Sequence, residues 1–136
     1  MADTAAPVRG AFAATGIVVE DLDRSVEFYR SVLGMEDVQR FDVPDMQLQE
    51  VVMSFPGSRG AAIVLMHYTD GTDRRYVDVG GKLVLTVPDP GAVVEAARTA
   101  GCEIVREPEE TPGFGLLAFA KDPDGHTLEL LQLRGA

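Results

Sequence analysis

A carboxylate set among leucines is the residue in this chain with the clearest capacity for chemistry. It is Glu129, in the run Lys121-Asp122-Pro123-Asp124-Gly125-His126-Thr127-Leu128-Glu129-Leu130-Leu131. Asp122 to Gly125 has turn chemistry: proline presets φ at the second position, Asp122 can bond back to the backbone, and Gly125 suits the fourth position. A strand follows. Its alternation places Thr127, Glu129 and Leu131 on one face and His126, Leu128 and Leu130 on the other. If the Glu129 face is covered, the carboxylate needs a metal, a cation or several hydrogen bonds, because an unpaired buried charge is very costly. If it faces water, it needs nothing. The single cysteine, Cys102, follows a helix-ending glycine and precedes Ile104. It reads as a small core residue, since nothing near it in sequence would favour a thiolate.

The rest of the chain must position Glu129. Phe12 to Glu20 reads as a strand, becoming β-branched at Thr15, Ile17, Val18 and Val19. Asp21 is a good N-cap, and Leu22, Val26, Tyr29 and Leu33 fall at helical spacing until Gly34 stops the helix. Asp37 to Val43, Met46 to Phe55 and Ala61 to Tyr68 read as three strands, with loops at Pro44-Asp45 and Pro56 to Gly60. Thr69 to Gly81 is polar and glycine-containing and reads as a linker. The order then restarts. Lys82 to Val87 is a strand, and Asp89-Pro90 opens a helix with a cap and a proline at its first position. Gly101 stops that helix, and strands follow at Glu103 to Arg106, Phe114 to Lys121 and Thr127 to Leu133, with a loop at Pro108 to Gly113.

The sequence therefore reads as βαβββ written twice. Val19, Asp21, Val26 and Glu27 recur in the same order and spacing as Val87, Asp89, Val94 and Glu95. One such unit cannot bury its sheet face alone, so two must pack together or exchange partners. The expected division is a mobile tail over residues 1–10, then one domain over 11–136, with units at 11–68 and 82–133 joined by the linker at 69–81.

Composition sets outer limits. The 136 residues suffice for one domain with a real core, and 46% hydrophobic with 25% charged residues is ordinary for a globular protein. No apolar run reaches the roughly 18 to 20 residues that span a bilayer. The first residues lack a basic stretch followed by an apolar one, so no signal peptide is expected there. A formal net charge of −10, with no Lys/Arg run, argues against nucleic acid and anionic membrane surfaces as partners. A lone cysteine fits a reducing cytoplasm.

Two stretches carry a family likeness: Val19-Glu20-Asp21-Leu22-Asp23-Arg24-Ser25-Val26-Glu27-Phe28-Tyr29 through Leu33-Gly34-Met35, and Lys121 through Leu130. With the repeat, they make the chain similar to the vicinal oxygen chelate superfamily, which includes glyoxalase I, extradiol dioxygenases and bleomycin-resistance proteins. The likeness implies an α+β fold of two tandem βαβββ modules forming a cupped mixed β-sheet. It also implies four positions pointing into the cup, one on the first and one on the last strand of each module. In glyoxalase-like metalloenzymes these hold His or Gln and Glu, and bind a divalent metal. Counting from Asp21 and Asp89, the positions fall here on Ala14, Val64, Lys82 and Glu129.

Only Glu129 is a ligand-type residue, and a divalent site needs at least three good protein ligands. No cofactor is therefore expected from these positions. A displaced set would have to draw on His67, His126, Glu50 and Gln49, and the odd spacing of His67 from Val64 and of His126 from Glu129 puts both histidines on the face opposite the cup. Lys82 and Glu129 instead suggest an ion pair that replaces the metal's charge with an ammonium. Met66 and Tyr68 share the parity of Val64, and Met53 and Phe114 are further candidates for an apolar cup wall.

Four functions compete on this reading. The chain could be a metal-free binder of a small, partly apolar molecule, cationic or neutral, like the bleomycin-resistance branch. It could be a metal-independent isomerase or lyase using Lys82 and Glu129 for proton transfer. It could be a divalent-metal glyoxalase or dioxygenase with displaced ligands. It could be a protein with a relic cup whose work is a partner contact. The likeness also implies a homodimer, with the cup completed within one chain or across two.

Overall fold

The structure is a computed structural model that describes residues 10–58, 61–75, 80–113 and 115–133. The first unit comprises strand β1 (Ala14–Val18), helix α1 (Leu22–Ser31) and strands β2 (Glu36–Val43), β3 (Leu48–Ser54) and β4 (Ala62–Tyr68). The second repeats it with β5 (Leu83–Thr86), α2 (Pro90–Thr99), β6 (Ile104–Thr111), β7 (Gly115–Lys121) and β8 (Thr127–Leu133). The sheet orders are β1-β4-β3-β2 and β5-β8-β7-β6. In each, the first strand runs parallel to the last and the other pairings are antiparallel. The fold is the expected α+β repeat, drawn as two four-stranded sheets.

Local chemistry accounts for the helices. Asp21 accepts a hydrogen bond from the Arg24 amide, and Asp89 accepts one from the Ala92 amide, so each helix starts on a side-chain cap. Gly34 and Gly101 adopt φ of 75° and 81°, the left-handed conformation that ends a helix without a Cβ penalty.

Each sheet turns one face to its helix. On the first, Val51, Met53, Ile63 and Leu65 are buried, and on the second Ala118, Ala120, Leu128 and Leu130 are. These residues join α1 and α2 side chains in one continuous apolar core. Alternation assigns the other face of the first sheet to Ala14, Gly16, Val64, Met66 and Tyr68, and that of the second to Lys82, Val84, Phe119 and Glu129.

Three local expectations are corrected. The strand expected over Glu103 to Arg106, with a loop from Pro108, runs on through Pro108 to Thr111. It is an edge strand with register shifts around Arg106, where a missing amide donor is tolerated. Met46 lies in a 3-10 turn over Pro44–Met46, because Gln47 takes a left-handed conformation before β3 begins. The first strand is shorter than Phe12 to Glu20, and Phe12 is 73% exposed.

Candidate functional site

Lys82 and Glu129 meet. Glu129 sits mid-strand on β8, directly beside Val84 of β5 and Phe119 of β7. Lys82 stands just before β5, on the same face as Val84. Its ammonium Nζ donates to Glu129 Oε1 at 2.6 Å and lies 5.9 Å from the centre of the Phe119 ring. The Glu129 side chain is 14% exposed and that of Lys82 49%. The carboxylate has a cation beside it, as its position among apolar side chains requires. Phe119, which the sequence reading did not single out, is the third member of this corner. The signal was available, since it shares parity with Leu117 and Lys121 on the strand that must pair with β8.

The corresponding surface on the first sheet is apolar. Ala14 pairs with Ala62, and Gly16 pairs with Val64. Met66 lies across Gly16 so closely that a Cβ there would stand 2.6 Å from its sulfur. Val52 lies opposite Val64, and Glu50 lies between Met66 and Phe41. Tyr68 closes one end of this face. The Arg74 guanidinium sits 4.1 Å from its ring centre and is held there by Asp70 at 2.8 Å. Met53 does not belong to this surface. It pairs with Ile63 and is fully buried on the helix side, because register puts it one residue out of phase with Val52. Phe114 lies outside the described residues.

The donors for a divalent metal do not fit. Of the four cup positions, two are hydrocarbon and a third is an ammonium already bonded to the fourth. Among the described residues no group of three His, Cys, Asp or Glu side chains is arranged to hold a metal ion. His67 Nδ1 lies 3.2 Å from the Val19 carbonyl oxygen, and His126 Nε2 lies 2.8 Å from that of Val18. Each ring thus spends one nitrogen on a backbone acceptor. His67 pairs across the sheet with Gln49 on the helix side, so of the four substitute ligands only Glu50 shares the open face.

The turn at Asp122 to Gly125 does more than reverse the chain. Gly125 N donates to the Asp122 carbonyl, and Asp122 Oδ1 accepts from the amides of Asp124 and His126. Both carboxylates are buried and reach into the first unit. Tyr29 Oη donates to Asp122, Ser25 Oγ and the Glu20 amide donate to Asp124, and Arg75 from the linker adds a 3.2 Å contact to Asp124. Burial pushes the Asp122 carboxyl above its ordinary value, and burial beside Asp122 pushes the Tyr29 phenol well above its own. Sequence reasoning recognised the turn and missed this junction, because no local pattern says what a turn carboxylate will face.

A concavity of about 840 Å³ lies elsewhere, at the start of α1. Asp23, Arg40, Asp42, Gln49, Glu50 and His67 are among its lining residues, and neither Lys82 nor Glu129 contributes.

Comparison with known proteins bears on this geometry. The profile described as Glyoxalase/Bleomycin resistance protein/Dioxygenase superfamily matches residues 11–130. A lactoylglutathione lyase of Arabidopsis thaliana is 34% identical over 116 residues, covering 84% of this chain and 41% of that protein. The chain thus spans about two fifths of the length of that plant relative. A probable lactoylglutathione lyase of Synechocystis is 32% identical over 120 residues, covering 87% of this chain and 92% of that one. The crystal structure of glyoxalase I from Zea mays superposes with a TM-score of 0.77 at 31% identity, over 89% of this chain and 44% of that one.

Proposed function

Because the chain belongs to the glyoxalase/bleomycin resistance protein/dioxygenase superfamily, we propose that it is a glyoxalase-like protein that binds a small, partly apolar molecule in its cup without a metal. The observation that carries this is the 2.6 Å contact between Lys82 Nζ and Glu129 Oε1, made where the family likeness calls for two metal ligands. Ala14 and Val64 hold the other two positions and have no donor atoms. Phe119 and Val84 supply apolar surface beside the pair, and Met66 and Tyr68 line the open face of the first sheet, with Phe114 a further candidate. An apolar wall with one polar corner is the usual make-up of a small-molecule site. Assembly as a homodimer belongs to the same proposal. Among the described residues the two sheets share no strand pairing, so a second copy could bring the open face of one chain's first sheet to the Lys82–Glu129 corner of the other. Among the described residues no helix is long and apolar enough to cross a membrane. A cytoplasmic setting is the expectation we draw from the lone cysteine.

The names of the relatives favour a second reading, an enzyme. The pair offers it a route without metal, since Lys82 and Glu129 are a proton donor and a proton acceptor in direct contact. A lactoylglutathione lyase that worked through a divalent metal would need ligands other than the four cup positions.

One experiment separates these readings. The purified protein is incubated with Zn²⁺ or Ni²⁺, freed of excess metal, analysed for metal content and assayed for lactoylglutathione lyase activity. Metal-free protein without lyase activity is the expected result. Stoichiometric metal with lyase activity overturns the proposal. Activity without metal that disappears in both Lys82→Met and Glu129→Gln establishes the second reading.

A further inference from the structure

We infer that the ligand of this cup is a flat, apolar molecule carrying an acceptor oxygen (a ketone, quinone or phenolate oxygen) and not a cation, even though the chain has a net charge of −10. The inference rests on the cup being the binding site, as proposed above.

The asymmetry of the ion pair is the starting point. Glu129 is the sheltered member at 14% side-chain exposure, and Lys82 the open one at 49%. A ligand entering this corner therefore meets an ammonium first. That ammonium has three N–H groups, and among the described residues its one hydrogen bond goes to Glu129. The remaining donors call for an acceptor. A cationic ligand could reach Glu129 only by displacing Lys82 from a 2.6 Å contact. The acidic surface does not reverse this preference, because exposed charges are screened beyond roughly 8 Å at physiological salt while the corner acts at contact distance.

The surroundings of the pair give the shape. Phe119 and Val84 flank Glu129 on the same face, and Val84 is 52% exposed. An aromatic face and a β-branched side chain beside a donor favour a planar apolar body, which can stack on the ring while its oxygen accepts from Lys82.

The test uses two fluorescent probes of similar size, the neutral ketone 6-propionyl-2-(dimethylamino)naphthalene and the cation thioflavin T. Each is titrated into the wild type, Lys82→Met, Lys82→Arg and Val84→Trp, with thermal unfolding recorded to confirm that each variant folds. The ketone is expected to bind at least about tenfold more tightly than the cation, the equivalent of one net hydrogen bond. Lys82→Met should remove that advantage and Lys82→Arg, which keeps its donors, should retain most of it. Val84→Trp should weaken both probes by filling the corner. Equal or tighter binding of the cation overturns the inference, as does a ketone affinity that Lys82→Met leaves unchanged. Ketone binding insensitive to Val84→Trp places the probe outside the cup and overturns the cup reading along with it. Absence of saturable ketone binding also overturns the inference.

Discussion

Tyr29 and Asp122, 93 residues apart, are joined by a 2.8 Å hydrogen bond in which the phenol of α1 donates to the carboxylate of the β7–β8 turn. This bond ties the first unit to the second at a buried point. It satisfies one oxygen of a carboxylate whose other oxygen takes two backbone amides. Tyr29→Phe keeps the ring packing and deletes only the donor. Hydrogen bonds to charged groups contribute about 1.5–3 kcal/mol, so a loss of stability of that order is expected in urea denaturation. A loss below about 0.5 kcal/mol would show that water or another donor replaces the phenol.

Asp122 also makes a prediction about pH. Burial holds its carboxyl above the ordinary range in the folded protein, against the opposing pull of His126 and of the Tyr29 bond. The folded pKa lies above the unfolded one, so protons favour the folded state. The stability contributed is complete below the unfolded value of about 3.9 and is lost as pH rises through the folded value. Asp122→Asn cannot titrate. The stability difference between wild type and Asp122→Asn should therefore shift against the wild type as pH rises across that window. Asp37, Asp70 and Asp73 are shifted the other way by exposed Arg and Thr partners, and they cancel in the comparison because both proteins carry them. Urea titrations from about pH 3 to pH 7 measure the difference, and a flat line means that burial does not raise this carboxyl.

Asp124 and Arg75 should behave unequally although they touch. The Asp124 side chain is wholly inaccessible, and its carboxylate accepts from Ser25 and the Glu20 amide as well as from Arg75. Asp124→Ala strands buried donors and should cost about 2–5 kcal/mol, with little dependence on salt. The Arg75 side chain is partly exposed and also pairs with Asp73 and Glu20. Arg75→Ala should cost less than about 1 kcal/mol, and that loss should shrink further in salt. Chemical denaturation at low and high ionic strength checks both. A comparable cost for the two variants would mean that Arg75 is needed to keep the Asp124 charge.

What could be read from the sequence follows the range of each signal. Asp21, Gly34, Asp89 and Gly101 act within a few residues, and the helices begin and end where these residues say. Strand parity is equally local. It grouped Met66 and Tyr68 with Val64, and register agrees. The family likeness, not parity, placed Val64, Lys82 and Glu129 in the cup, and Lys82 meets Glu129. Register itself is a long-range quantity. Met53 went to the wrong face because its phase relative to Val64 depends on the β3–β4 pairing, which the loop at Pro56 does not reveal. Pro108 misled because proline breaks a central strand and is tolerated on an edge, and edge position is a property of the whole sheet. The Asp122 and Asp124 junction was out of reach for the same reason. Its partners Tyr29, Ser25 and Glu20 lie about ninety or more residues away.

The four cup positions can be tested by restoring what they lack. Within the first sheet, Gly16 separates Ala14 from the Val64 level, and both residues share a face. Within the second, Lys82 and Glu129 are in contact. Each sheet therefore presents one half of a four-residue set, and a metal with bonds of about 2.0–2.2 Å can be held only if the two halves converge. Ala14→His, Val64→Glu and Lys82→His, combined with the native Glu129, would supply two imidazoles and two carboxylates. The triple variant is expected to retain Zn²⁺ near one equivalent per chain after desalting, where Lys82→His alone retains little. Bound zinc should raise unfolding stability by about 2.7 kcal/mol at a free concentration one hundred times the dissociation constant. If the halves belong to two chains, zinc should also stabilise the dimer, which sedimentation at micromolar protein would detect. A folded triple variant that retains no more zinc than the wild type would show that Ala14 and Val64 do not face Lys82 and Glu129, and the cup would then have to be rebuilt from other residues.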